Sequence, residues 1–272
     1  MNKIIQDYKK RDVDFSLIHN ESDEVYFKLI DLMAICDGQA FLDIGGGYGS
    51  FLYKLLNRIP DTRMKYYLWD SNKPFIAKAI RDYEKCANKD SNIDVSFVHN
   101  NGLNISEDHS KFDVILCKMF IHEIPKSDKE KVFNNIYSLL KPGGRVYFWK
   151  PDLSEKNYDF YRRVIAKKDQ LADFENLAKE RDFLLNTELE AHLANSGFQE
   201  ISKLFDFDYI LHTDRRLVSE FRNETKKLLE WNDFVKKEHE RLNQTGFTPI
   251  KEDKSINRIT IDFKRIIYSA LR

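Results

Sequence analysis

The sequence lacks paired cysteines, clustered histidines and long apolar runs, which are the features of disulfide-rich, metal-binding and membrane-spanning proteins. Its three cysteines, Cys36, Cys86 and Cys117, are scattered and form no Cys-x-x-Cys pair, which argues against a disulfide framework and favours a reducing cytoplasm. The seven histidines show no metal-ligand spacing, so we expect no metal site. No apolar run approaches the roughly 18 residues of a membrane span, and the charged N-terminal stretch predicts no secretory signal.

The chain also lacks an excess of charge of either sign. Lysine plus arginine and aspartate plus glutamate each total 44, so the net charge is zero and the sequence pI is about 7.1. Because no overall positive field would hold a polyanion, we expect no nucleic-acid partner. A length of 272 residues is enough to bury a full core in one or two domains.

What stands out is a glycine-rich turn after an apolar strand. Residues 41–51 read Phe-Leu-Asp-Ile-Gly-Gly-Gly-Tyr-Gly-Ser-Phe, with a helical pattern following. Glycines let a backbone approach a ligand closely, and the next helix presents unpaired N–H groups to it. A dinucleotide fingerprint beginning at Gly45 would require glycine at position 50, where this chain has Ser50. The complete pattern is Asp-x-Gly-x-Gly-x-Gly from Asp43 to Gly49.

A second acid follows at the distance expected in a strand–helix–strand unit. Residues 63–70 form a β-rich run that ends on Asp70, beside the first loop of such a unit. Asp70 would accept hydrogen bonds from both hydroxyls of a ribose. The alternative is that Asp70, Ser71 and Asn72 simply cap the next helix.

The rest of the pattern predicts a doubly wound parallel sheet. A third strand (94–98) leads into Asn101 and Gly102, and a fourth (112–118) precedes His122. An amphipathic helix through Leu140, a Pro-Gly-Gly turn and a fifth strand come next. The Asn101 amide could accept from an adenine amino group, although Asn-Asn-Gly is also an ordinary turn.

The glycine turn resembles motif I of the class I methyltransferases that depend on S-adenosylmethionine (SAM), and residues 116–148 resemble the core of the caffeate and hydroxyindole type O-methyltransferases. This resemblance implies an α/β Rossmann-like fold with a seven-stranded, mostly parallel sheet and helical cap segments. It implies SAM as cofactor and S-adenosylhomocysteine (SAH) as product. It also implies a substrate-deprotonating base at His122 and these cofactor-binding residues: Asp43, Gly45, Gly46, Gly47, Gly49, Asp70, Ser71, Asn101, Gly102, Lys118 and Met119.

Two departures from the resembled family concern the base. Lys150 stands where that family has a glutamate orienting the histidine, and a second family glutamate has no clear equivalent, although Glu180 lies nearby. Packing or capping near Pro125 explains His122 about as well as catalysis does. The motifs also leave open which bond of SAM breaks, so aminocarboxypropyl transfer or internal cyclisation stays an alternative to methyl transfer.

The placed strands predict the organisation of the chain. We expect an N-terminal helical lid over residues 1–38 and a SAM-binding domain over 39–272. The first cap segment, at about 153–186, is predicted to be helical from residue 158, and the second, at about 213–255, to contain a charged helical insertion over about 214–244. The caps carry many aromatic side chains, which favour an apolar or planar acceptor, with ordinary packing as the alternative for each. The lid is too short to be the dimerisation domain of caffeate-type enzymes, and the oligomeric state is left open.

The sequence therefore predicts a cytoplasmic, SAM-dependent methyltransferase with a small-molecule substrate. Oxygen is the predicted acceptor atom, ahead of nitrogen and carbon, and a specialised natural-product pathway is the predicted setting. The competing interpretations are a nucleic-acid methyltransferase, a nicotinamide oxidoreductase and a non-catalytic SAM-binding protein. Neutral charge and the absence of an Asn-Pro-Pro-Tyr motif argue against the first, and Ser50 argues against the second.

Overall fold

The structure is a computed structural model that describes Asp7 and residues 21–86, 91–100 and 111–272. Its strands form a single eight-stranded sheet in the order β3-β2-β1-β4-β5-β8-β6, with β7 paired to β8. Their bounds are β1 Ala40–Ile44, β2 Met64–Asp70, β3 Ile93–His99, β4 Phe112–Lys118, β5 Leu140–Pro151, β6 Gln199–His212, β7 Ile250–Asp253 and β8 Arg258–Leu271.

Among the described residues, helices alternate with several of the first five strands, and further groups of helices lie between β5 and β6 and between β6 and β7. Their bounds are α1 Asp23–Met33, α2 Ser50–Arg58, α3 Lys73–Glu84, α4 Lys129–Leu139, α5 Tyr158–Leu171, α6 Glu175–Glu180, α7 Asn186–Asn195, α8 Arg215–Ser219 and α9 Thr225–Arg241. Short 3-10 turns cover Ile121–Glu123, Lys126–Asp128, Gln244–Gly246 and Lys254–Ile256. No helix within the described ranges is long and apolar enough to cross a membrane.

The central strands are parallel and apolar. β1 pairs in parallel with β2 on one side and with β4 on the other, and β4 pairs in parallel with β5. Phe41, Leu42 and Leu116 are fully buried, as expected for strands covered on both faces. The chain adds β2 and β3 on one side of β1 and then adds β4 and β5 on the other side, so the strand order switches between β1 and β4. The carboxyl ends of these two strands therefore border the crevice in which doubly wound proteins bind ligands.

The predicted fold class is confirmed, but the predicted strand count is wrong. The sheet has eight strands, and the extra one is β7 (Ile250–Asp253), which runs antiparallel to β8. Its sequence, Ile-Lys-Glu-Asp, is mostly charged and exposed, so no apolar alternation marks it as a strand. The strand β7 is instead defined by its backbone pairing with β8, which runs from Ile250 opposite Ile261 to Asp253 opposite Arg258.

The helix predicted from residue 158 to 186 is interrupted. α5 ends before Ala172, and Asp173 adopts the left-handed conformation with φ of 62°. The carboxylate of Asp7 then accepts hydrogen bonds from the backbone N–H groups of Asn176 and Leu177, at 2.7 and 3.0 Å. These N–H groups are the unsatisfied donors of the first turn of α6, so a distant residue caps this helix.

The helical insertion predicted between residues 214 and 244 is likewise split into α8 and α9. Arg222 and Asn223, which separate the two helices, both have positive φ, 51° and 65°. Residues other than glycine rarely adopt a positive φ, and a residue that does so ends a right-handed helix.

The chain divides into two compact units. One comprises residues 21–150, 190–205 and 266–272, and it contains the first four strands and every described residue predicted to bind the cofactor. The other comprises residues 1–20, 151–189 and 206–265. The predicted cap segments 153–186 and 213–255 fall within this second unit. The lid predicted at residues 1–38 stays a prediction, since most of residues 1–20 lie outside the described residues.

The second unit has an apolar core of its own. Trp231 is fully buried and donates its indole N–H to the carbonyl of Val164 at 3.0 Å. Phe160, Tyr161 and Phe221 are buried in the same cluster. These aromatics, which the sequence offered as possible contacts for an acceptor, therefore pack the interior of their unit.

Candidate functional site

The glycine-rich turn is held against the end of β2. The backbone N–H groups of Gly45 and Gly46 donate to the carbonyl of Trp69, at 2.8 and 3.1 Å. A Cβ on Gly46 would lie 2.6 Å from the Leu68 side chain, and one on Gly45 would lie 2.8 Å from Phe120. Glycine is therefore required at both positions by the packing of the protein itself.

Gly47 differs from these two glycines. Its φ is +57°, and a Cβ built on it meets nothing within 4 Å among the described residues. Its backbone therefore faces open space, where a ligand can approach without side-chain interference. Gly49, with φ of 82°, is the N-cap of α2, so the turn leads directly into the N–H groups of that helix.

Asp70 lies at the carboxyl end of β2 with its carboxylate against this turn. Oδ2 accepts from the backbone N–H of Gly47 at 3.0 Å, and Oδ1 accepts from that of Asn72 at 2.7 Å. Burial raises the pKa of this carboxyl to about 6, although both hydrogen bonds favour the ionised form. A carboxylate offers about four lone-pair positions, so Asp70 retains acceptor capacity for a ligand hydroxyl.

Asp43 lies near the same turn, and its side chain is held by contacts within the protein. Its side chain is buried, and Oδ2 accepts from the hydroxyl of Tyr66 at 2.8 Å. Burial raises its pKa to about 6, opposed by the Tyr66 hydrogen bond and the charge of Lys118. Oδ2 also lies 2.9 Å from the position that a Gly46 Cβ would occupy. The structure thus places Asp43 next to the turn as part of its packing.

The carboxyl end of β4 brings Lys118 and Met119 to the same edge of the sheet. Lys118 is the register partner of Trp149 on β5, and its side chain is only 15% exposed. Met119 has φ of 51°, and its N–H donates to the Trp149 carbonyl at 2.8 Å. The positive φ turns the chain sharply as it leaves the strand, towards the residues that precede His122.

His122 lies in the 3-10 turn Ile121–Glu123 and is buried. Its Nε2 is 3.0 Å from the carboxylate of Glu123. The turn is held by Lys129, whose fully buried ammonium donates to the carbonyls of Ile121 and Ile124 at 2.8 and 3.0 Å. The imidazole therefore has a carboxylate partner and a fixed backbone.

All of the predicted cofactor contacts stay predictions, and three of them lie outside the turn and the strand ends described above. Ser71 follows Asp70, and its carbonyl lies 3.0 Å from Nε2 of His99. Asn101 and Gly102 lie outside the described residues. Among the residues that the structure does describe, no group of three or more histidine, cysteine, aspartate or glutamate side chains could hold a metal ion.

Two residues of this region were missed by sequence reasoning. Glu123 takes the position beside the histidine that the resembled family fills from the fifth strand, where this chain has the buried Lys150. Its adjacency to His122 was a visible signal. Glu21 lies 3.8 Å from the Lys118 ammonium, and nothing in the sequence pattern pointed to it.

Comparison with known proteins agrees with this geometry. Residues 41–144 match a protein family described as a methyltransferase domain. The chain is 27% identical over 185 residues to the ubiquinone/menaquinone biosynthesis C-methyltransferase UbiE of Haemophilus ducreyi, covering 64% of this chain and 69% of that protein. It is 31% identical over 137 residues to the UbiE of an Enterobacter species, covering 48% of this chain and about half, 52%, of the relative.

A solved structure shows the same fold over nearly the whole length. The YcgJ protein of Bacillus subtilis superimposes with a TM-score of 0.68 at 15% identity, covering 92% of this chain and 98% of that one. The family match over residues 41–144, the fold and the glycine-rich turn agree on a SAM-dependent methyltransferase. The narrower resemblance to caffeate-type enzymes has only weak support from these matches.

The residues present fit SAM, the cofactor of this class. The open backbone at Gly47 and the acceptor capacity of Asp70 suit a ribose, and the cation of Lys118 suits the cofactor's carboxylate. The cofactor contact predicted for Asp43 stays a prediction.

The raised pKa of Asp70 predicts a pH dependence of binding. Only the ionised carboxylate can accept from both ribose hydroxyls, so we expect the affinity for SAH to fall as pH is lowered through about 6. Asp70→Asn should weaken binding about tenfold or more at about pH 8 and flatten most of the decline. Isothermal titration calorimetry between about pH 5 and pH 8 measures both effects. An equally steep decline in the variant would remove Asp70 as its source.

Proposed function

We propose that this protein transfers the methyl group of SAM to a hydroxyl oxygen of a small molecule, with His122 as the base. One observation carries the proposal: the carboxylate of Glu123 lies 3.0 Å from Nε2 of His122. Both residues are in the turn that follows the carboxyl end of β4, at the edge of the sheet where we propose that the cofactor binds (the cofactor edge). A carboxylate at this distance stabilises the imidazolium that forms when the ring of His122 takes up a proton.

Each residue has a defined task in this reaction. Asp70 and the turn from Gly45 to Gly49 hold the nucleoside, and Lys118 pairs with the carboxylate of the cofactor. SAM, when bound, would supply a methyl group on its sulfonium sulfur, with SAH as the leaving group when a nucleophile attacks the methyl carbon in line. His122 removes the hydroxyl proton as the oxygen becomes that nucleophile, and Glu123 stabilises the resulting imidazolium. Positioning supplies most of the rate in such a displacement.

Carbon is the second candidate acceptor, and the relatives favour it. Both UbiE proteins are named as C-methyltransferases of ubiquinone and menaquinone biosynthesis. Removal of a phenol proton makes the neighbouring ring carbons nucleophilic as well as the oxygen, so the same base serves either product. A phenolic or enolic small molecule is therefore the acceptor class we propose, in a specialised biosynthetic pathway.

The test incubates the purified protein with SAM carrying a carbon-13 methyl group and a panel of phenols and metabolite extracts. Carbon NMR distinguishes an O-methyl from a C-methyl product, and mass spectrometry identifies the acceptor. An O-methylated phenol is the expected result. A C-methyl product would select the second candidate. Release of methylthioadenosine would replace methyl transfer by aminocarboxypropyl transfer or cyclisation, and no binding of SAM would overturn the proposal.

A further inference from the structure

The ammonium of Lys118 is enclosed by three side chains from two separate segments. It lies 5.4 Å from the ring centroid of Tyr26 and 5.1 Å from that of Trp149, both within cation–π range. The two rings are 5.0 Å apart and inclined by 48°, so they form two sides of a cage. The Glu21 carboxylate lies on a further side, with Oε2 3.8 Å from Lys118 Nζ.

Glu21 is fixed in this position. Its side chain is only 2% exposed, and Oε2 accepts from the hydroxyl of Tyr26 at 3.0 Å. Glu21 and Tyr26 flank the start of α1, so one short segment supplies both the acid and one ring of the cage. In such a site, shielded from water, a carboxylate holds a nearby ammonium more strongly than a surface partner does.

We infer that Glu21 is a positioning residue for the cofactor. Together with Tyr26 and Trp149, it holds the Lys118 ammonium at the carboxyl end of β4, where that ammonium receives the carboxylate of SAM. The distance of 3.8 Å exceeds the reach of a hydrogen bond, so Glu21 attracts the Lys118 ammonium by charge. The N–H groups of the ammonium can then donate to the carboxylate of the ligand.

The chemistry of SAM supports this assignment, which rests on the proposed function. Its carboxylate is its only anionic group, and Lys118 is a cation at the cofactor edge of the sheet. A carboxylate-bearing ligand should therefore depend on Glu21, and a ligand that shares the nucleoside but lacks the amino acid should not. SAH and 5′-methylthioadenosine are such a pair.

The experiment compares the binding of these two ligands by calorimetry. We expect Glu21→Gln to weaken SAH about tenfold while 5′-methylthioadenosine changes less than about twofold. Retained binding of the second ligand also shows that the variant is folded. Glu24→Gln, on an exposed residue in the first turn of α1, is the matched control and should change neither affinity. Glu21→Asp restores the charge and should recover part of the loss.

A double-mutant cycle tests whether Glu21 acts through Lys118. In a Lys118→Met background, Glu21→Gln should alter SAH affinity less than about twofold, because the group that it orients is gone. A full tenfold effect in that background, or an equal loss for both ligands, would overturn the inference while leaving SAM binding intact. Wild-type protein that binds neither ligand would overturn the proposed function and this inference with it.

Discussion

Replacing His122 by alanine is expected to lower kcat about 100-fold or more while the affinity for SAH stays within about twofold. The reason is that a positioned base contributes to the reaction step, whereas the cofactor contacts that we propose lie at Asp70, the glycine turn and Lys118. Single-turnover kinetics with the identified acceptor measure the first quantity, and calorimetry measures the second.

Glu123→Gln provides the companion variant. Glutamine has the size of the glutamate that lies 3.0 Å from Nε2 of His122, but it lacks the charge that stabilises the imidazolium. We therefore expect kcat to fall by a smaller factor than in His122→Ala, about five- to twentyfold. Near-normal turnover of His122→Ala at neutral pH would assign His122 to packing.

The sequence was informative where function depends on contiguous residues. The turn from Asp43 to Gly49 follows β1, and Asp70 ends β2 with its carboxylate on the backbone of Gly47. Both were predictable because parallel strands bring their carboxyl ends to one edge of a sheet. The same rule placed Lys118 and His122 near that edge.

The parts that escaped prediction depend on residues far apart in the chain. Asp7 caps α6 across 169 residues, which a pattern of local apolar spacing cannot show. The cage around Lys118 joins Glu21 and Tyr26 to Trp149 through tertiary packing alone. The strand β7 is defined by backbone pairing with β8, which leaves no periodic side-chain pattern.

A buried ion network in the second unit was also invisible to the sequence, where its members look like ordinary charges on helical faces. Lys168 Nζ lies 2.7 Å from Oδ1 of Asp169 and 2.8 Å from Oε1 of Glu220, and the three side chains are at most 3% exposed. Arg181 contacts the other Asp169 oxygen at 2.7 Å, and Arg216 contacts Glu220 at 3.4 Å. Lys168 thus connects α5 to the segment after α8 and lies between two carboxylates.

Lys168→Met is expected to destabilise this unit by about 3 to 5 kcal/mol, because it removes the shared cation and leaves two buried carboxylates undercompensated. The neighbouring Lys167 is the matched control, since it pairs at 2.6 Å with Glu230, whose side chain is 49% exposed. Lys167→Met should cost less than about 1 kcal/mol. Urea unfolding followed by tryptophan fluorescence, to which Trp231 contributes from the interior of the same unit, measures both. Equal losses of unfolding free energy in the two variants would mean that the buried network contributes no more than a surface ion pair. A loss several kcal/mol larger in Lys168→Met would show that Lys168 stabilises the buried carboxylates of this unit.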